Sequence, residues 1–308
     1  MVLYLGIEIG GTKLQVVVGD ADGVIHERFR FGVRAEEGGA GIRRHIADTI
    51  ERLRPHPSLR GIGVGYGGPV DWRTGRVCCS HHVVGWSEFP LGDWLRELSG
   101  LPVTVDNDAN VAALGEARRG AGQGHNPVLY ATLGSGVGGP GCGWADLPWG
   151  HAGEVELGHV RLDRAGTTVE SRCAGWAVDR RIRALAAAEP GGVLARLTAG
   201  MSRGEARHLG AALAAGDPAA WGLLEETARD LAFGLSHAVH LLHPAVVVLG
   251  GGLSLLGEPL RAAVAAGLPG FVMDAFKPGP EVRLAGLAED AVPVGALLSA
   301  AGALVADR

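Results

Sequence analysis

Two carboxylates and two amides crowd into the stretch Asp106-Asn107-Asp108-Ala109-Asn110. Before it, Val103 and Val105 alternate with Thr104, the period-two signal of a short strand. After it, small and apolar residues from Ala109 to Ala117 read as a helix. The acids therefore fall on a strand-to-helix turn, and in open α/β sheets ligands bind at the carboxyl ends of strands. A carboxylate placed there can accept a proton from a bound hydroxyl. The alternative is structural: Asp106 or Asp108 caps the following helix.

Glycine turns at strand ends are the second source of chemistry. Leu3, Leu5, Ile7 and Ile9 alternate with Tyr4, Gly6 and Glu8 and lead into Gly10-Gly11-Thr12-Lys13, after which Leu14 to Val18 reads as a second strand. A hairpin joined by Gly-Gly exposes backbone N–H groups. With the Thr12 hydroxyl and Lys13 they could hold phosphate oxygens, or the turn is an ordinary one. The P-loop spacing is absent. Val128 to Thr132 enters Leu133-Gly134-Ser135-Gly136-Val137-Gly138-Gly139, an internal echo of residues 5–12. Ala245 to Leu249 ends in Gly250-Gly251-Gly252, a seat for a base or ribose. Gly68-Pro69 closes the strand over residues 59–68 and permits close approach of a ligand. Gly63, Gly65 and Gly68, and likewise Gly134, Gly136 and Gly139, fit Gly-x-Gly-x-x-Gly. The chain has 51 glycines, and Pro-Val or Pro-Gly rather than a helix follows each run, so the dinucleotide context is missing.

Glu154, Glu156 and His159 lie within six residues and offer donors and acceptors for a polyol, ligands for a metal, or a plain surface loop. His81-His82 on a loop, and His237, His240 and His243 at spacing three, suggest metal only weakly. Cys78, Cys79, Cys142 and Cys173 form no spaced Cys-x-x-Cys pair and read as reduced thiols of a cytoplasmic protein.

The elements that must position these groups follow from periodicity. Residues 40–53 form an amphipathic helix with Ile42, Ile46, Ile50 and Leu53 on one face, ended by Pro55 and Pro57. Residues 86–98 approach a short helix, residues 170–183 another, and residues 221–242 the longest, with residues 294–305 closing the chain. The length of 308 residues suits two domains, and 47% hydrophobic with 20% charged residues describes a globular chain. A net charge of −5 argues against nucleic acid as the main partner. No signal peptide or apolar run long enough for a membrane is expected.

In this order the motifs resemble the sugar-kinase side of the ROK family (repressors, open reading frames, kinases), of the actin-like ATPase fold. The residues carrying the resemblance are Gly6 to Lys13, Gly63 to Asp71, Asp106 to Asn110, Leu133 to Gly139, Glu156-Leu157-Gly158-His159 and Val248 to Gly252. The resemblance implies an α/β protein of two lobes with an interlobe cleft: residues 1–108 with the closing helix 293–308, and residues 109–292. It implies ATP-dependent phosphorylation of a hexose or amino-sugar hydroxyl, with Asp108 as the base. Gly68, Asn107, Glu156, His159 and Glu170 match sugar-binding positions. Gly10, Gly11, Thr12, Lys13, Gly134, Ser135 and Gly136 match the phosphate loops, and Gly251 and Gly252 the adenosine segment. Homodimerisation is implied as well.

Three departures from the family pattern stand out. Glu8 replaces the usual Asp, a longer side chain that can still reach water on a magnesium ion. The family's cysteine-rich zinc run is absent, since residues 163–171 read Asp-Arg-Ala-Gly-Thr-Thr-Val-Glu-Ser, so no structural zinc is expected. The first glycine hairpin opens the chain, so the DNA-binding helices of the family's repressors are not expected. Two rivals remain: a catalytically impaired sugar- or nucleotide-binding regulatory protein of the same fold, and a nicotinamide-binding oxidoreductase.

Overall fold

The opening hairpin forms as its alternation requires, from β1 (Leu3–Ile9) and β2 (Lys13–Gly19), paired antiparallel with Glu8 opposite Gln15. The structure is a computed structural model describing residues 1–11, 13–34, 36–53, 56–79, 85–139, 141–142 and 155–306. Thr12, Pro55, His81, His82 and Glu154 lie outside the described residues. A third strand, β3 (Ile25–Gly32), pairs antiparallel with β2 and is followed by α1 (Gly38–Leu53) and β4 (Leu59–Tyr66). The short strands β5 (Val70–Asp71) and β6 (Arg76–Val77) form a small hairpin before α2 (Leu91–Ser99). Then come β7 (Val103–Asn107) and α3 (Asp108–Arg119).

The chain continues with β8 (Val128–Leu133), β9 (Val137–Gly138), β10 (Gly141–Cys142) and a 3-10 turn over Leu157–His159. The helix expected over residues 170–183 is two helices, α4 (Val169–Cys173) and α5 (Gly175–Ala188), because Ala174 takes an extended conformation between them. A capping box between Thr168 and Ser171 starts α4. Next come α6 (Val193–Leu197), α7 (Leu209–Ala214) and α8 (Pro218–Leu242), the last capped by Asp217 with Pro218 at its first position. The remaining elements are β11 (Val246–Gly250), α9 (Glu258–Gly267), β12 (Glu281–Leu284) and α10 (Ala291–Ala306).

These elements make two compact units. The first holds residues 1–124 and 286–308 around a sheet of order β3-β2-β1-β4-β7, in which β1, β4 and β7 run parallel. Leu5, Ile7, Leu14, Val16, Ile62 and Val64 bury one sheet face with Ile42, Ile46 and Ile50 of α1. On the other face α10 lies close. A β-carbon on Gly63 would stand 1.9 Å from the Ala296 carbonyl oxygen, and one on Gly295 would stand 1.8 Å from that of Val111 in α3. Alternate glycines in Arg60-Gly-Ile-Gly-Val-Gly thus seat a helix on the strand, which explains Gly63 and Gly65 without a dinucleotide. The second unit holds residues 125–143 and 155–285 around the order β10-β8-β11-β12, with β8, β11 and β12 parallel. No described helix is long and apolar enough to cross a membrane.

Candidate active site

In the first unit, three parallel strands end in one row, with Ile9 opposite Tyr66 and Tyr66 opposite Asn107. The turns that follow bring together Gly10, Gly67, Gly68, Asn107 and Asp108. The N–H of Gly67 donates to the Ile9 carbonyl at 2.8 Å, and a β-carbon on Gly67 would stand 3.3 Å from Oδ2 of Asp108. Neither aspartate caps α3. The cap is Asn107, whose Oδ1 accepts from the N–H groups of Ala109 at 2.8 Å and Asn110 at 3.4 Å. Its Nδ2 donates to the Gly68 carbonyl at 3.1 Å, tying the two turns together. Asp106 is committed to the turn: Oδ1 accepts from the Asn107 N–H at 2.7 Å and from Asn110 Nδ2 at 2.9 Å.

Burial raises the carboxyls of both aspartates, and at Asp106 the hydrogen bonds from Asn110 and Asn107 oppose the rise. At Asp108 burial pushes the carboxyl up to about 7, and the neighbouring Glu8 carboxylate adds to the rise. The N–H groups at the start of α3 and the Lys13 ammonium pull the other way. Glu8 is held from both sides: Lys13 Nζ lies 3.0 Å from Oε1, and Gln15 Nε2 donates to Oε2 at 2.6 Å. A carboxyl that titrates near neutrality, at the ends of parallel strands, is poised to take a proton.

The second unit gathers the other candidates. Because Gly250 pairs with Thr132, the turns that end β8 and β11 are neighbours. Gly251 adopts φ 79°, and a β-carbon there would stand 2.7 Å from the Leu133 backbone, so only glycine fits. The turn after β8 closes by a bond from the Gly134 N–H to the Gly136 carbonyl at 2.9 Å, with Ser135 exposed at its tip. The Gly175 N–H, at the start of α5, donates to the Gly134 carbonyl at 2.8 Å. Among the described residues no acceptor takes the N–H of Ser135 or Gly136, which leaves them open to an anion. Glu170 reaches this turn too, accepting the Val137 N–H at 3.0 Å. Leu157 and Gly158 are buried against Val137 and Gly139, and the flanking Glu156 and His159 face outward.

The three histidines of α8 and its end serve packing. His240 Nε2 accepts the Met273 N–H at 3.0 Å, His237 lies edge-on to Phe233, and His243 lies edge-on to Phe276. Among the described residues, no group of three or more His, Cys, Asp or Glu is placed to hold a metal ion. Burial pushes the Cys173 thiol up to about 12, which leaves it unreactive.

Sequence reasoning passed over Gln15. Its signal was a lone polar residue in Leu14-Gln-Val-Val-Val, opposite Glu8 once the turn length fixes the register.

A mixed sheet whose parallel strands end in glycine turns beside a buried carboxyl places the chain in the α/β class whose ligands bind at the carboxyl ends of strands. Comparison with known proteins agrees. The ROK family model matches residues 4–302, and the chain belongs to the ROK family. A glucokinase of Halalkalibacterium halodurans is 32% identical, covering 95% of this chain and 93% of that protein. A glucokinase of Thermotoga maritima is 30% identical over 95% of both. The crystal structure of a ROK family glucokinase from Streptomyces griseus, in complex with glucose and AMPPNP, is 32% identical. It matches with a TM-score of 0.82 over 97% of this chain and 99% of that one. The protein therefore has the actin-like ATPase fold and is a sugar kinase.

Proposed function

We propose that the protein transfers the γ-phosphoryl group of ATP to a hydroxyl of a hexose or amino sugar, with Asp108 as general base. The observation that carries this reading is the place of Asp108 at the ends of parallel strands, its Oδ2 against the Gly67 turn, where burial and Glu8 raise its carboxyl to about 7. A base is most effective when its pKa lies near the working pH. Phosphoryl transfer otherwise asks for positioning and charge stabilisation. The open N–H groups of Ser135 and Gly136 suit the phosphates, and Gly252, with nothing within 4 Å of where a β-carbon would stand, leaves room for a nucleoside beside the Gly251 turn. Glu156, His159 and Glu170 suit sugar hydroxyls. The glucokinases among its relatives support the acceptor class.

The magnesium ion that the family implies fits the donor set. Glu8 presents hard carboxylate oxygens, and magnesium characteristically binds through one or two carboxylates, phosphates and retained waters. Glu8, fixed by Lys13 and Gln15, would accept a hydrogen bond from such a water. Bound there, the ion would neutralise charge developing on the phosphates.

The test is sugar-dependent release of ADP across a panel of hexoses and amino sugars, with ATP and polyphosphate compared as donors. Turnover with ATP on one or a few sugars is the expected result. Sugar and nucleotide binding without turnover would instead establish a binding protein, with Glu8 as the first suspect.

A further inference from the structure

Gln15 is fully buried in the middle of β2, on the sheet face that carries Glu8 rather than the face packed on α1. Register sets Glu8 opposite Gln15 and Gln15 opposite Arg30, so three polar residues form a row across the sheet. Gln15 Nε2 donates to Glu8 Oε2 at 2.6 Å. Gln15 Oε1 accepts from Arg28 Nη1 at 2.9 Å and from Arg30 Nε at 3.3 Å. Arg28 is anchored in turn by Asp290 at 2.6 Å, just before α10, and Arg30 lies 3.5 Å from Glu289.

This network has a direction. Guanidinium groups only donate, so the two arginines require the amide oxygen on their side. A flipped amide would aim its N–H groups at two cations and its oxygen at a carboxylate. The arginines therefore fix Nε2 toward Glu8. Lys13 holds the other carboxylate oxygen. An aspartate at position 8 would end one methylene short, roughly 1.5 Å, and could not make the 2.6 Å contact. Glu8 and Gln15 are matched in length.

We propose that Gln15 is a positioning residue for phosphoryl transfer: its amide, oriented by Arg28 and Arg30, aims the Glu8 carboxylate at the water shell of the nucleotide-bound metal ion. The inference rests on the kinase reading with Glu8 beside the metal. Groups that orient a metal-site carboxylate typically change metal affinity by ten- to a hundredfold when removed.

The experiment titrates Mn2+, as a paramagnetic stand-in for magnesium, into the full chain saturated with AMPPNP, read by electron paramagnetic resonance. Gln15→Met should weaken Mn2+ binding about tenfold and lower kcat similarly, with sugar KM within about twofold of the parent. In a Glu8→Asp background the same substitution should cost less than about twofold, because the shorter acid no longer reaches the amide. Gln15→Asn keeps a buried amide but withdraws it by one methylene from Glu8; it should weaken Mn2+ binding likewise, and carries the test should the Met variant not fold. Folded variants with parental Mn2+ affinity would overturn the proposal, as would equal losses in the parent and in the Glu8→Asp background. Absence of turnover in the parent would instead sink the kinase reading, leaving the titration to judge Gln15.

Discussion

Asp106 and Asp108 are separated by one residue, yet only Asp106 spends its carboxylate on the turn, bonding Asn107 and Asn110. Asp108 has burial and the Glu8 charge against its ionised form. Replacing it with asparagine should lower kcat by about 10² to 10⁴, roughly the worth of a general base, while sugar affinity stays within about tenfold. In the parent, kcat should fall as pH drops through about 7, where the base becomes protonated. Steady-state kinetics from about pH 5.5 to 9 would show this, and a flat profile would remove Asp108 from the role. The same shift has a stability consequence. A carboxyl whose folded value is raised from 3.8 to about 7 binds its proton more tightly in the folded state. The folded protein therefore loses stability as pH rises between those values. Asp108→Asn has no such charge to bury. Its melting temperature relative to the parent should rise between about pH 5 and pH 8, by an amount worth about 2 kcal/mol for a half-buried site. A parallel pH dependence in both proteins would contradict the buried-charge account.

At the scale of elements, sequence legibility followed the strength of the local pattern. The β1–β2 hairpin was readable because apolar alternation runs up to a Gly-Gly turn. The strand β3 was not, because Ile-His-Glu-Arg-Phe-Arg-Phe-Gly mixes charge into an edge strand whose partner lies only on one side. The division of residues 170–183 escaped notice because Ala174 is a good helix former, turned extended by the close approach of Gly175 to Gly134. The candidate residues were readable as motifs, but the part each plays in the turn was not: that Asn107 caps α3 depends on side-chain geometry. Glycine spacing set the dinucleotide reading aside without saying what the glycines do instead: Gly63 and Gly65 serve the seat of α10. This gives a paired prediction with opposite signs. Gly63→Ala must push α10 off the strand and should destabilise by about 3 kcal/mol. Gly222→Ala, in α8 with nothing within 4 Å of the new carbon, should stabilise by about 0.5–1 kcal/mol. Urea denaturation of both variants would decide it; equal effects would mean that glycine content, not close packing, sets the cost.

At the scale of the whole molecule, among the described residues the chain leaves the first unit after Gly124 and returns to it at Gly286. Both passages are fastened by one fully buried side chain, Glu116, near the end of α3. Its Oε2 accepts from the N–H groups of Ala121 at 2.8 Å and Gly286 at 3.0 Å, and its Oε1 from that of Leu287 at 2.8 Å. Gly120 lies so close that a β-carbon there would stand 2.0 Å from Oε2. Nothing in the local sequence announces this, because Gly286 and Leu287 lie 170 and 171 residues further along the chain. Removing the carboxylate takes away the acceptor of three bonds, and each buried group left unsatisfied costs about 1–3 kcal/mol. Glu116→Ala should therefore lose about 3–5 kcal/mol of stability. Glu116→Gln should lose less, since its amide oxygen can keep the Ala121 and Gly286 bonds while only Leu287 meets a donor. Thermal melting of the two variants against the parent checks the ranking. An alanine variant that melts with or above the glutamine variant would show that the passages are held by something other than this carboxylate.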